Sequence, residues 1–207
     1  MSEFLIKSHR DTLQQIIRTL CNGDIATEQI EKFNQECESI SQQDLSTVFQ
    51  QLNDENIDFQ NNEAVIEFFD DIVEEKVAQG KLNKYVTGHP VRTYLEENIL
   101  LRRWIKQIWY HHPQKDLPGF VNIFQDISKV ELHYQRKENQ LFPCLEKHGW
   151  DSPSKNMWAM HDENRALIKT VRLAIEAGDV AQIEEEIPHL LSELERMMQI
   201  EEQRLLP

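Results

Sequence analysis

His89, His133 and His161 are spread along a sequence of 207 residues, and carboxylates accompany them at Glu138, Glu201 and Glu202. Imidazole nitrogens and carboxylate oxygens of this kind bind iron when facing helices project them into a core that partly excludes bulk water. His133 lies three residues after Val130 and beside Tyr134, on or near an apolar stripe, with Glu138 following in HYQRKENQLFP. His161, in MWAMHDENRALI, is four residues after Met157 and seven before Ile168, which puts it on the apolar face of its helix. His89 precedes Pro90 at a helix start, where the positive end of the helix dipole disfavours imidazolium and keeps the ring neutral, as ligation requires. A lone buried His is ordinarily a hydrogen-bonded core residue. Three on successive helices, each with carboxylates near, point instead to a metal site. His189, with Glu193 four residues on, is a secondary candidate.

The elements that must position these groups are helices. From Pro90, the run Val91, Tyr94, Leu95, Ile99, Leu100, Trp104, Ile105 and Ile108 makes a long amphipathic helix that ends near His111-His112-Pro113. A second helix runs from about Pro118 to His148 and is closed by Gly149. A third starts at Ser152-Pro153, a capping residue followed by Pro at the first helical position, and reaches Gly178. The fourth is interrupted at Pro188 and continues from His189 to Leu206. Short polar connections and one apolar stripe per helix favour an antiparallel up-down four-helix bundle over residues 81–207. Residues 1–80 read as a smaller helical domain: a first helix stopped by Cys21-Asn22-Gly23-Asp24, later starts at Thr27 and Ser41, and a helix over 61–80 closed by Gly80.

Composition agrees with an all-α chain, since only six Gly and seven Pro punctuate abundant Glu, Gln, Leu, Ile and Lys. A formal net charge of −14 argues against nucleic acid and anionic membranes as partners, because both attract clustered Lys and Arg. Cys21, Cys37 and Cys144 form no CxxC pair, so neither a disulfide framework nor a thiolate zinc site is suggested. Without an apolar leader or a long apolar run, the expectation is a soluble, cytoplasmic protein.

The motifs GHP at His89, HYQRKENQLFP at His133, MxxxHDE at His161 and the ending EEQRLLP resemble the four motifs of the hemerythrin-like, HHE cation-binding family. More narrowly, GHPVRTYLEEN, HYQRKENQLFPCLEKHG and MWAMHDENR look like a bacterial family that joins a small helical N-terminal domain to such a bundle. That family often carries a PAS sensor domain afterwards, and none lies within these residues. The resemblance implies a non-haem iron site, di-iron or mononuclear, with His89, His133, Glu138, His161, Glu201, Glu202 and secondarily His189 as ligands.

Two positions depart from the pattern. The family's second motif places a ligand Glu four residues after its His, and here that residue is Lys137, with Glu138 one further on. Five residues of ideal helix separate side chains by roughly 140°, against roughly 40° for four. Pro143 offers a local distortion, because it removes the hydrogen bond to the Asn139 carbonyl. In the fourth motif the expected His is Met197, a poor partner for hard ferric iron and a natural core filler. Glu96 and Glu97 are further carboxylates on the first helix for which a solvated or salt-bridged role is expected over ligation, and His111, His112 and His148 fall at helix ends, where a structural role suits them.

The function expected from this resemblance is sensing of O₂, nitric oxide, or redox and iron status, with O₂, nitric oxide or peroxide as the small ligand and a signalling protein as a further partner. Two alternatives stand beside it: a metal-free interaction module built on a buried His and Glu network, and a haem protein using a His with Met197. No nucleophile with an adjacent base and no Gly-rich phosphate loop supports an enzyme.

Overall fold

The computed structural model describes residues 3–150 and 152–206, and every regular element among them is helical. The last residue of the EEQRLLP motif, Pro207, lies outside the described residues. The chain divides into two compact units, Met1–Arg92 and Thr93–Pro207.

In the first unit, α1 (Glu3–Cys21) stops where the CNGD signal predicts, with Gly23 at φ 78° and the Asn22, Gly23 and Asp24 amides closing the last turn. Ser41 caps α3 (Gln42–Asp54) by accepting from the Asp44 amide, and Asn62 caps α4 (Glu63–Phe68) through the Val65 amide. Between α1 and α3 runs α2 (Thr27–Glu36). A core of Leu13, Ile16, Phe33, Val48, Leu52 and Phe68 gathers these helices. A π-helical turn over Phe69–Val73 continues α4 into α5 (Glu74–Leu82). Gly80 was expected to close this helix, yet α5 runs two residues past it. Its glycine has another cause: a Cβ there would collide with the Ile40 carbonyl, beside the point where the Ile40 amide donates to Lys76 O at 3.0 Å.

In the second unit, α6 (Pro90–Ile108) begins in the first unit and buries Tyr94, Leu95, Asn98, Leu101, Ile105 and Ile108; of the expected stripe Tyr94, Leu95, Ile105 and Ile108 are buried, whereas Leu100 is exposed and Leu101 takes the inward place. The expected single helix from Pro118 to His148 is three pieces. They are α7 (Leu117–Ile127), α8 (Val130–Arg136) and α9 (Phe142–Lys147), with a π-helical turn over Lys137–Leu141 joining the last two. The π turn precedes Pro143, whose missing N–H leaves the ladder without one bond. Within this turn Glu138, five residues after His133, is buried along with Lys137, four residues after it.

Helix α10 (Ser152–Ala177) packs along α11 (Val180–Ile200). Its buried residues Met157, His161, Asn164, Ile168, Val171 and Ala174 recur every three or four positions. Pro188 does not interrupt α11 as expected. It is exposed, where water can serve the carbonyl that its ring leaves without a donor. A third π-helical turn, Glu201–Leu205, follows α11 and carries the buried Glu201. No helix among the described residues is long and apolar enough to cross a membrane.

Candidate functional site

Four helical segments of the second unit send polar side chains to one buried place. Glu201, with no exposed surface, is its centre. Glu201 Oε2 accepts from Asn98 Nδ2 at 3.2 Å and lies 3.0 Å from His133 Nε2, while Oε1 is paired with the ammonium of Lys137, which also has no exposed surface. The other nitrogen of His133, Nδ1, is 2.7 Å from Glu97 Oε2. On the far side of the Lys137 turn, His161 Nδ1 is 2.7 Å from Glu138 Oε1, and Arg165 Nη2 donates to both Glu138 oxygens at 2.9 and 2.8 Å. Tyr134 stacks on the His161 ring at 4.0 Å, takes the Lys137 ammonium over its face at 5.1 Å, and has its hydroxyl fixed by Asn164 at 2.8 Å.

Each carboxylate of the network meets a basic side chain, although Arg165 also pairs with Glu131 and Asp162. Glu201 faces Lys137, Glu138 faces Arg165, Glu97 faces Arg136, and Glu202 faces Arg102 at 2.7 Å. Burial pushes the Glu201 carboxyl up, but the charges of Lys137 and His133 outweigh it and hold the group below the ordinary carboxylate range. Burial, reinforced by the Lys137 charge, pushes His161 down to about 2, so its ring is neutral. Burial also lowers His133, against the opposing pull of Glu201.

The expected residues thus separate into two groups. His133, Glu138, His161, Glu201 and Glu202 belong to one network. His189 is exposed on α11, between the buried Ile187 and Leu190. His89 is exposed within the first unit, its ring 4.9 Å from that of Tyr85 and its Nδ1 accepting from the Val91 amide. Met197 is buried among the apolar residues of α11. His111 pairs with Asp116 and His148 with the Cys144 carbonyl, both at chain turns.

Sequence reasoning missed Asn98, Arg102 and Arg165. Two of these carried a signal. Asn98 sits three residues after Leu95 and seven before Ile105 on one stripe, and Arg165 is four residues after His161 on the same side of α10.

Residues 89–207 match the model of the family described as hemerythrin HHE cation binding domain, and the match covers more than half of the chain. The chain belongs to that family. No curated protein and no solved structure matches it.

A domain of this family binds metal cations, usually iron, so the donor set can be tested against such an ion. Part of the arrangement suits one. The Nδ1 atoms of both His133 and His161 are held by carboxylates, the support that metal-ligating imidazoles have. The rest does not. His133 Nε2 is taken by Glu201, Glu201 by Lys137, and Glu138 by Arg165. Among the described residues, no three His, Cys, Asp or Glu side chains are grouped to hold a metal ion. The only ring nitrogen of the network without a hydrogen-bond partner is His161 Nε2. The donor set does not fit a bound cation, because a basic side chain already occupies each carboxylate that would bind one.

Proposed function

We propose that this chain is a metal-independent member of a cation-binding family. In this reading residues 81–207 form an antiparallel four-helix bundle, residues 1–80 form a helical domain before it, and the pair is a helical interaction or signalling module. The observation that carries the proposal is the fully buried Lys137 against the fully buried Glu201. Lys137 stands where the family's motif has a ligand Glu, so one residue change both removes a ligand and supplies the positive charge an ion would bring. A divalent cation added where each carboxylate already meets a basic side chain would leave like charges buried together at high cost. The free thiols Cys21, Cys37 and Cys144 suit the reducing cytoplasm.

A second reading keeps the iron. It is favoured by the carboxylate support of both imidazoles and by the unpartnered His161 Nε2, and it would give the site an O₂, nitric oxide or redox signal. Thermal unfolding with and without a strong chelator separates the two. The metal-independent reading expects the same unfolding temperature in both, and a drop on chelation that iron reverses would support the second reading.

A further inference from the structure

Within the first unit, α1, the start of α3 and the end of α5 enclose a half-open cavity of about 300 Å³ that has no part in the ionic network. The buried Leu13 and Ile40 form its floor, and the surface it presents is mostly apolar. Gly80 belongs to the same wall, where its missing side chain lets α5 approach the Ile40 carbonyl. Neutral polar groups here are already paired. The Asn83 amide donates to Ser39 Oγ at 3.3 Å, and its oxygen accepts from Gln79 at 3.1 Å. The charged groups stand at the mouth, with Arg10 and Asp44 half-buried and Lys84 exposed, so a molecule entering from solvent meets them first.

These charges do not cancel. Asp44 is the one carboxylate among the lining residues, and its Oδ2 accepts from Ser41 Oγ at 2.5 Å. Arg10 Nη1 lies 3.7 Å from Asp44 Oδ1, an ionic approach too long for a hydrogen bond. The guanidinium is thereby held at the cavity wall with its N–H donors uncommitted among the described residues, and the Lys84 ammonium has no acceptor among them either. Arg10 and Lys84 bring two positive charges to a wall with one negative, in a chain whose net charge is −14. A guanidinium with free donors suits a carboxylate, which it can bind through two parallel hydrogen bonds. In size, an apolar cavity of roughly 150 Å³ accommodates benzene, so this one has room for about two fused rings. We propose that the cavity between α1, α3 and α5 binds a small amphipathic carboxylic acid, its apolar body over Leu13 and Ile40 and its carboxylate held by Arg10 and Lys84. The proposal gives the first unit a ligand and is independent of the metal content of the second.

The test is a titration of the full chain with 2-naphthoate and with the matching neutral amide, 2-naphthamide, followed by NMR at the Ile40, Ser41 and Gly80 backbone amides. Both probes have the fused rings, but only naphthoate has the charge. Naphthoate is expected to bind saturably and on the order of tenfold more tightly than naphthamide, a difference of about 1.4 kcal/mol. The Arg10 side chain is 32% exposed and makes no hydrogen bond within the described fold, so Arg10→Gln is expected to unfold at the unchanged temperature. This variant, and Lys84→Gln at an exposed position, should each remove most of the preference for the acid while leaving the affinity for naphthamide as it was. Equal affinity for the two probes, no response at the three amides, or undiminished naphthoate binding by both variants would each overturn the proposal. Self-association of the free chain that Arg10→Gln abolishes would assign the cavity to a second copy and overturn it as well. Metal content measured on the same sample reports on the metal-independent reading separately.

Discussion

Lys137 and Glu201, brought together from positions 64 residues apart, form an ion pair in which neither side chain has any exposed surface. Each of the two opens a π-helical turn, Lys137 that over Lys137–Leu141 and Glu201 that over Glu201–Leu205. Desolvating both groups is expensive, and the pair persists because Glu201 is also met by Asn98 and His133. Removing one partner therefore exposes the full cost of the other.

The first consequence concerns Lys137→Met. Met fills similar volume without the charge and leaves Glu201 buried and uncompensated. Destabilisation of about 3–5 kcal/mol is expected. In thermal unfolding that is a drop on the order of 10 °C. Unfolding at the wild-type temperature would show that Glu201 does not depend on this ammonium.

Restoring the family's ligands should restore the family's chemistry. Lys137→Glu combined with Met197→His returns a His or Glu to both departing positions. Without metal the double variant places another carboxylate beside Glu201 and Glu138 and should unfold at a lower temperature than wild type. Ferrous iron should recover the loss and be retained on desalting. A double variant indifferent to iron would mean that these two residues are not what separates this chain from a cation binder.

Acid should weaken the fold in two stages. An unfolded chain takes a proton on His161 near its ordinary value of 6.5, whereas the folded chain resists until about 2. The stability this group contributes is complete above 6.5 and is lost as the pH falls below that value. Glu201, also lowered in the folded chain, adds a second loss once the pH falls below its ordinary 4.5. Each group steepens the decline by at most about 1.4 kcal/mol per pH unit. Urea midpoints measured at pH 7.5, 5.5 and 4 should fall in that order, and a constant midpoint would contradict the buried, neutral His161.

A test in the first unit concerns Gly80→Ala. The added methyl meets the Ile40 carbonyl, which is backbone and cannot rotate away. A cost of about 1–3 kcal/mol is expected, confined to the unfolding of residues 1–92. Hydrogen exchange should show faster opening at the Ile40 amide, and unchanged exchange there would show that the backbone gives way freely.

Much of this molecule is legible in its sequence, and the parts that are not share a cause. The inward Tyr94, Leu95, Ile105 and Ile108 of α6, the Ser41 cap and the burial of His133 and His161 follow from local spacing. Pro143 even marks the distortion within which Glu138, five residues after His133, is buried. What spacing does not reveal is which charge meets which. Glu202 meets Arg102 across 100 positions and Glu138 meets Arg165 across 27, so the pairing of each carboxylate with a basic side chain emerges only when the helices pack. Lys137 stands out in the sequence as a missing ligand. Its part as a resident cation depends on Glu201 and becomes visible with the fold.

The most direct measurement is an anaerobic titration of the wild-type chain with ferrous iron, followed by desalting and metal analysis. The account predicts that essentially no iron is retained and that no oxo-bridge absorption develops on exposure to air. One or two irons held per chain would contradict it, and would mean that Lys137 gives way to a metal in the folded protein.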